Sequence, residues 1–336
     1  MMQISPETQL FIREHSSDDV RVLALQAKKY PDIDMPTAIT QIAGRKVAAE
    51  KIPKHLSLEQ CSSEITARYK ARLLQGDSLT DLTGGFGIDC SFLATGFKSA
   101  TYVERQEELC EIAAHNFPVL NLNHINIKNE DGVTYLQAMS PVDCLFLDPA
   151  RRNEHGGKTV AISDCEPNVA ELEELLLQKA NRVMIKLSPM LDLSLALKEL
   201  KQTQEVHILS VNNECKELLI LLGQTSPTEI SIHCVNLSTK GTQEEQHFVF
   251  TREQEQCSEC TYTDSLETYL YEPNASLLKA GAFRSIAAAY PVRKLHPNSH
   301  LYTSDTFIEN FPGRIFRIVN QCSFNKKEVK ENLADL

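Results

Sequence analysis

Residues 81 to 89, DLTGGFGID, put two carboxylates, a hydroxyl and three glycines within nine positions, directly after an alternating apolar and polar run. Gly84, Gly85 and Gly87 would let backbone approach a ligand closely at the carboxyl edge of a strand, and the helix formers that follow would offer free N–H groups. A phosphate loop is excluded, because no Gly-Lys-Ser/Thr follows. The dinucleotide pattern Gly-x-Gly-x-x-Gly is half met, since its third glycine falls on Cys90. Glu104, in TYVERQ, ends the next apolar run, where a carboxylate can accept hydrogen bonds from both hydroxyls of a ribose, with Arg105 beside it; a solvated strand end explains the same residue. In KNEDG, Asp131 offers an acceptor for an amine and Gly132 permits the turn. Asp148 and Pro149 open the segment DPARRN after a fourth run, and Arg151 and Arg152 beside them could contact phosphate, stack on a base or hold an ion pair. Lys186, Ser188 and Asp192, in IKLSPMLD, end a fifth run. Upstream, LSLEQCSSEITARYKA supplies Gln60, Ser62, Ser63 and Glu64, although Ser63 followed by Thr66 also reads as a helix N-cap.

These residues need a scaffold that brings distant positions to one edge. From Ser78 onward short apolar runs (LTDLT, ATYVE, INIKNED, DCLFLD, RVMIKLS) alternate with helical stretches such as 107–116 and 168–180, which predicts right-handed βαβ units and a mainly parallel sheet. EVHILSVNN and KELLILLG stand only two or three residues apart, around Glu214 and Cys215, so the sheet should end in an antiparallel strand. Residues 1–70 read as a helical lobe, with Pro36 near a helix start and Pro53 at a stop. Residues 71–223 form the sheet domain, and a second α+β domain, 224–336, begins after a Pro/Ser/Thr patch. Within it EPNASLLKAGAF reads as a capped helix and RIFRIVNQC as a strand with its arginines on one face. The end, NKKEVKENLADL, stops in helical texture with no finishing turn, so the natural chain is expected to continue.

Composition bounds the function. With 336 residues and 42% hydrophobic content the chain can bury ordinary cores, and no apolar run approaches the roughly 18 to 20 residues of a spanning helix. With no secretory signal either, a cytoplasmic protein without a membrane partner is expected. The net charge of −11 argues against wholesale coating of nucleic acid. It is unevenly spread: nine acidic residues oppose Lys240 and Arg252 between Thr228 and Glu272, whereas six Lys and Arg oppose Asp305 and Glu309 between Pro273 and Arg317. The ten cysteines are scattered and several sit inside apolar runs, so they form no disulfide framework. Cys257-Ser-Glu-Cys260 lacks two partner ligands at matching spacing, and no metal is expected.

Asp81 followed by x-x-x-Gly-x-Gly resembles the first motif of the class I S-adenosylmethionine-dependent methyltransferases, with Thr83 where many members carry another glycine. Asp148-Pro149 resembles the segment of methyltransferases acting on nitrogen of bases, in which an acidic residue or Asn and Pro precede Pro and an aromatic; here Ala150 and Arg151 replace the last two. With Glu104, NEDG, KLSP, NNECKELL, LYEPNASLLKAGAF and FPGR, roughly residues 40 to 325 resemble a bacterial class I methyltransferase family with an appended ferredoxin-like segment and a THUMP-like domain. The resemblance implies an α/β fold: a Rossmann-like class I methyltransferase sheet with an antiparallel last strand, an N-terminal helical lobe and a C-terminal α+β domain. It implies S-adenosyl-L-methionine as cofactor, held by Ser63, Asp81, Thr83, Gly84, Gly85, Gly87, Glu104, Arg105, Asp131, Gly132 and Asp148. Asp148 with Pro149 would orient the nucleophile, and Arg151 and Lys186 would line the acceptor side. RNA is the implied partner, with a base nitrogen as acceptor, and the THUMP-like part would lie largely outside this sequence. A small-molecule methyltransferase and a non-catalytic protein that binds cofactor or RNA are the rival readings. A covalent route to a 5-methylpyrimidine lacks its nucleophile, because DPARR and KLSP hold no cysteine and Cys165 is displaced along the loop.

Overall fold

The computed structural model describes residues 5–15, 29–35, 38, 62–151, 161–225, 227–239, 245–323, 325, 328 and 330. Most of the expected helical lobe before residue 62, Pro36 and Pro53 included, lies outside these residues. The described part of that region contains α1 (Pro6–Glu14), capped by Ser5, with Phe11 and Ile12 packed on Met35 and Ala38. The chain divides into two units, Met1–Gln202 with Ile220–Ser226, and Thr203–Leu219 with Pro227–Leu336.

The first unit is built on five parallel strands, β1 (Ser78–Asp81), β2 (Ser99–Glu104), β3 (Ile125–Asn129), β4 (Val142–Leu147) and, after a two-residue pair β5 (Ala150–Arg151) and β6 (Cys165–Glu166), β7 (Ala180–Leu187). Their order is β7-β4-β1-β2-β3. The chain moves outward from β1 through β2 to β3, then restarts on the other side of β1 with β4, so β1 and β4 flank the point where the direction of winding reverses. In such a sheet, ligands bind outside the carboxyl ends at that point. Helices α2 (Glu64–Ala71), α3 (Ile88–Leu93), α4 (Glu107–Val119), α5 (Gly132–Ala138), α6 (Val169–Lys179) and α7 (Leu193–Glu199) precede or connect the strands. α4 shows the pattern that makes them form: acidic Glu107 and Glu108 in the first turn complement the helix dipole, and Cys110, Ala113 and Phe117, at helical spacing, pack on Tyr102 of β2. Strand β7 is buried from Val183 to Leu187, a run apolar except for Lys186, the pattern expected of a parallel strand covered on both faces.

In the second unit β8 (Thr203–Val211) is joined by Asn212 and Asn213 to β9 (Glu214–Gly223), whose residues from Ile220 onward are counted with the first unit; both asparagines are in the left-handed region at φ 50 and 66°, the two-residue turn that matches strand twist. The expected hairpin is present, one step earlier than expected: the asparagines turn, and Glu214 and Cys215 already belong to the strand. Beside β8 lies β10 (Ser231–Leu237), parallel to it, and then β11 (Glu245–Thr251), antiparallel. After α8 (Arg252–Cys257), a four-stranded antiparallel sheet forms from β12 (Tyr269–Pro273), β13 (Arg293–Lys294), β14 (Tyr302–Ser304) and β15 (Gly313–Arg317), with α9 (Ala275–Ala280) and α10 (Phe283–Ala289) between β12 and β13. Tyr271, Tyr302 and Phe311 form its core, the two tyrosines donating their hydroxyls to the carbonyls of Thr306 and Phe283. Asn274 caps α9 as expected. The arginines of β15 do not share a face. Arg314 pairs across to Glu272 and Arg317 to Tyr269, three residues apart on a strand whose side chains alternate by two. No helix among the described residues is long and apolar enough to cross a membrane.

Candidate active site

Four strand ends meet along the carboxyl rim of the first unit's sheet. Asp81 ends β1, Glu104 ends β2, Asp148 follows β4, and Lys186 stands one residue before the end of β7. The register of β4 and β7, Leu147 against Ile185, brings the next residues, Asp148 and Lys186, side by side. Lys186 Nζ lies 2.5 Å from Asp148 Oδ2.

The turn after β1 is shaped by its glycines. Gly85 and Gly87 adopt φ 54 and 76°, where a side chain strains the backbone. A Cβ on Gly84 would stand 2.2 Å from the Tyr102 ring, and one on Gly132 2.2 Å from the Leu82 carbonyl, so both glycines are required by close approach. A Cβ on Gly85 would meet only a backbone oxygen at 3.9 Å, so the turn is open at that point. Glu104 braces it: one carboxylate oxygen accepts from Gly85 N and the other from Gln106 N, each at 2.9 Å. Thr83 accepts the Asp148 amide on its hydroxyl at 2.6 Å, linking the turn to the Asp-Pro segment. A glycine at position 83 could not make that link.

Behind the rim lies a buried ionic network that the sequence reading did not identify. Asp89, in the first turn of α3, sits 2.9 Å from Lys70 Nζ and 3.2 Å from Lys186 Nζ. Ser62 Oγ donates to Asp89 at 2.8 Å and accepts from Lys70 at 2.5 Å and from Lys186 at 3.2 Å. Lys70 is fully buried on α2. Burial alone would raise the Asp89 carboxyl, but the two ammonium groups and the Ser62 hydroxyl hold it well below the usual carboxylate range. Asp148 is raised by desolvation and by Asp89, against the pull of Lys186.

Asp81 is different. Its Oδ1 accepts from Thr83 N at 3.0 Å, but its Oδ2 is buried with no hydrogen-bond partner. Desolvation, reinforced by Asp89 and Asp148, pushes its pKa up to about 8. The charge count explains why: three carboxylates, Asp81, Asp89 and Asp148, face two ammonium groups, Lys70 and Lys186. One positive charge is lacking, and the lack is felt at the residue whose second oxygen is orphaned. A ligand that places a cation there would complete the set.

The remaining candidates separate. Ser63 caps α2, accepting from Thr66 N, while its neighbour Ser62 joins the network. Asp131 caps α5 through Oδ1, which takes Val133 N and Thr134 N at 3.0 Å. Arg105 forms an exposed pair with Glu166 of β6 at 3.0 Å. Asp192 caps α7, and the Ser188 hydroxyl accepts from Met190 N. Pro149 is buried and leads into β5, whose Arg151 stands opposite the buried Cys165; the side chain of Arg151 and all of Arg152 lie outside the described residues. A cavity of about 500 Å³ between α2 and α3, lined by Arg68, Arg72, Phe92 and Leu122, involves none of the rim residues. Asp89 and Lys70 escaped notice for distinct reasons. Asp89 is the last residue of the glycine-rich turn sequence and reads as a first-turn acid, while Lys70 carries no signal, since a lysine on a short helix is ordinarily solvated.

Residues 269–312 match a family described as a ferredoxin-like domain. A candidate methyltransferase from Porphyromonas gingivalis W83, solved by crystallography, is 33% identical, with the match covering 100% of this chain and 88% of that one at a TM-score of 0.79. A candidate class I S-adenosylmethionine-dependent methyltransferase from Listeria monocytogenes is 10% identical over 60% of this chain and 72% of its own (TM-score 0.42). A candidate methyltransferase from Streptococcus mutans, in complex with SAH, is 14% identical over 48% of this chain and 96% of its own (TM-score 0.34). No curated protein matches the chain.

Proposed function

Because the chain belongs to the family of the Porphyromonas gingivalis methyltransferase, we propose that it transfers the methyl group of S-adenosyl-L-methionine to a base nitrogen in structured RNA. The orphaned Asp81 carboxylate in a network one positive charge short carries the cofactor assignment. S-adenosylmethionine bears a sulfonium and an ammonium against one carboxylate, a net charge of about +1 at neutral pH, which balances the site. Asp81 would hold its cationic part. Glu104 would receive the ribose hydroxyls while keeping its two backbone bonds, and the open, left-handed Gly85 would let the backbone lie against it. The second oxygen of Asp131, beyond the one used in capping α5, is the candidate acceptor for the adenine amino group.

The cofactor supplies an electrophilic methyl on sulfur; the chain supplies position and a usable lone pair. Asp148 sits at the rim with its side chain 37% exposed, so it can receive an amine from the solvent side. Lys186, only 9% exposed, holds one Asp148 oxygen, while Thr83 fixes the backbone amide. A carboxylate fixed in this way accepts hydrogens from the amine and turns the nitrogen lone pair toward the donor, and positioning of this kind is worth up to roughly 7–11 kcal/mol. The RNA acceptor rests on the Asp-Pro segment and on the basic balance of residues 273–317.

Asp148→Asn tests the assignment. It keeps the shape of the side chain and removes its charge, so S-adenosylhomocysteine should still bind while transfer of labelled methyl into RNA from cells lacking the gene falls by about 10²–10⁴-fold. Unchanged transfer would remove Asp148 from catalysis. Labelling of small acceptors but not of RNA by the unaltered chain would move the substrate to the small-molecule class, and comparing modified nucleosides from cells with and without the gene would identify the base.

A further inference from the structure

Three imidazoles and a carboxylate gather on one face of the strands β8, β10 and β11 in the second unit, and the proposed function uses none of them. His233 stands directly opposite His207 in the parallel register. Glu205 lies two residues before His207, and His247 two residues from Val249, the antiparallel partner of His233, so all four side chains share a face. The His207 and His233 rings stack with centroids 4.3 Å apart. His207 Nε2 is 3.3 Å from Glu205 Oε2, and His233 Nδ1 is 3.1 Å from His247 Nε2. Donor atoms of Glu205, His207 and His233 all lie within 4.8 Å of one another.

We propose that these residues form a site for a divalent transition metal of the zinc type, with Glu205, His207 and His233 as ligands and His247 as the fourth. Imidazole nitrogen and carboxylate oxygen are the donors that suit such an ion. Two ligands bound at about 2.0–2.1 Å on a tetrahedral metal stand about 3.4 Å apart, close to both short donor pairs. Ligation needs the stacked rings to turn about their side-chain bonds. The ion would tie together three strands, of which β11 is the edge strand. No spacing motif announces the site, because its donors come from three strands and only Glu205-x-His207 is contiguous. The C-x-x-C at Cys257 and Cys260 plays no part in it.

The test uses the full chain, stripped with a chelator and titrated with zinc. About one zinc should bind per chain with a dissociation constant below about 1 μM, and the melting temperature should rise with zinc concentration. His233→Gln should weaken binding by about 100-fold or more, and His247→Gln, at the exposed edge, by about 10-fold. Cys257→Ser with Cys260→Ser should leave binding unchanged. Cobalt in the unaltered chain should give visible bands of tetrahedral nitrogen and oxygen ligation without a thiolate charge-transfer band, which decides the matter even if His233→Gln fails to fold. Absence of stoichiometric zinc binding, its survival in His233→Gln, its loss in the cysteine double variant, or a thiolate band would each overturn the site.

Discussion

Under the proposed function Asp81 should link stability, pH and cofactor affinity, and Asp81→Asn separates them. The carboxyl has an ordinary value of 3.8 and stands at about 8 in the folded chain. Below about pH 4 the group is protonated in both the folded and unfolded states and contributes nothing. Between about 4 and 8 the unfolded chain is ionised while the folded one holds the proton, so stability falls as pH rises, and above about 8 the full penalty is present. At about 1.4 kcal/mol per decade, the interval from pH 5 to pH 8 is worth at most about 4 kcal/mol. Asn keeps the acceptor for Thr83 N and cannot ionise. Relative to the unaltered protein, the variant should therefore gain stability from pH 5 to pH 8, by up to on the order of 10 °C in melting temperature. Its affinity for S-adenosylmethionine should fall, and the rise in affinity with pH, up to about tenfold per unit in the unaltered chain below pH 8, should vanish. Thermal melts and titration calorimetry at pH 5, 6, 7 and 8 provide both readings. Parallel melting curves and parallel affinity profiles for the two proteins would refute the reasoning that Asp81 awaits a cation.

Lys186→Met removes a counter-charge shared by Asp89 and Asp148 and should cost about 3–5 kcal/mol, read as a lower urea midpoint. Lys98→Met, which breaks the solvent-exposed pair with Asp77, is the control and should leave that midpoint unmoved. Gly84→Ala places a Cβ against the Tyr102 ring and should fold poorly, seen in the yield of soluble, cooperatively melting protein. Gly85→Ala meets open space and should cost only about 1 kcal/mol for its left-handed backbone, while lowering cofactor affinity in calorimetry. Equal folding defects in the two variants would show that the turn does not distinguish packing from ligand approach.

Much of the scaffold was readable in local pattern, because apolar runs of strand length separated by helical spacing admit few arrangements other than a parallel sheet. DLTGGFGID, TYVERQ and LFLDPARRN could be ranked along such a sheet's carboxyl rim from their order alone, and Asn274 announced its helix by type and place. The sequence could not say which polar residues would lose their water. Lys70 and Asp89 look like surface residues of short helices, yet their charges are buried together with Lys186, which lies 97 residues beyond Asp89. Nor could it show that Thr83 would clamp Asp148, or that Arg314 and Arg317 would point to opposite faces. Local order determines which element forms, because propensity and periodicity act between near neighbours. Which charges meet, and which one is left short of a partner, depends on the register of strands distant in the chain and on the water they exclude, and both arise only when the sheet closes.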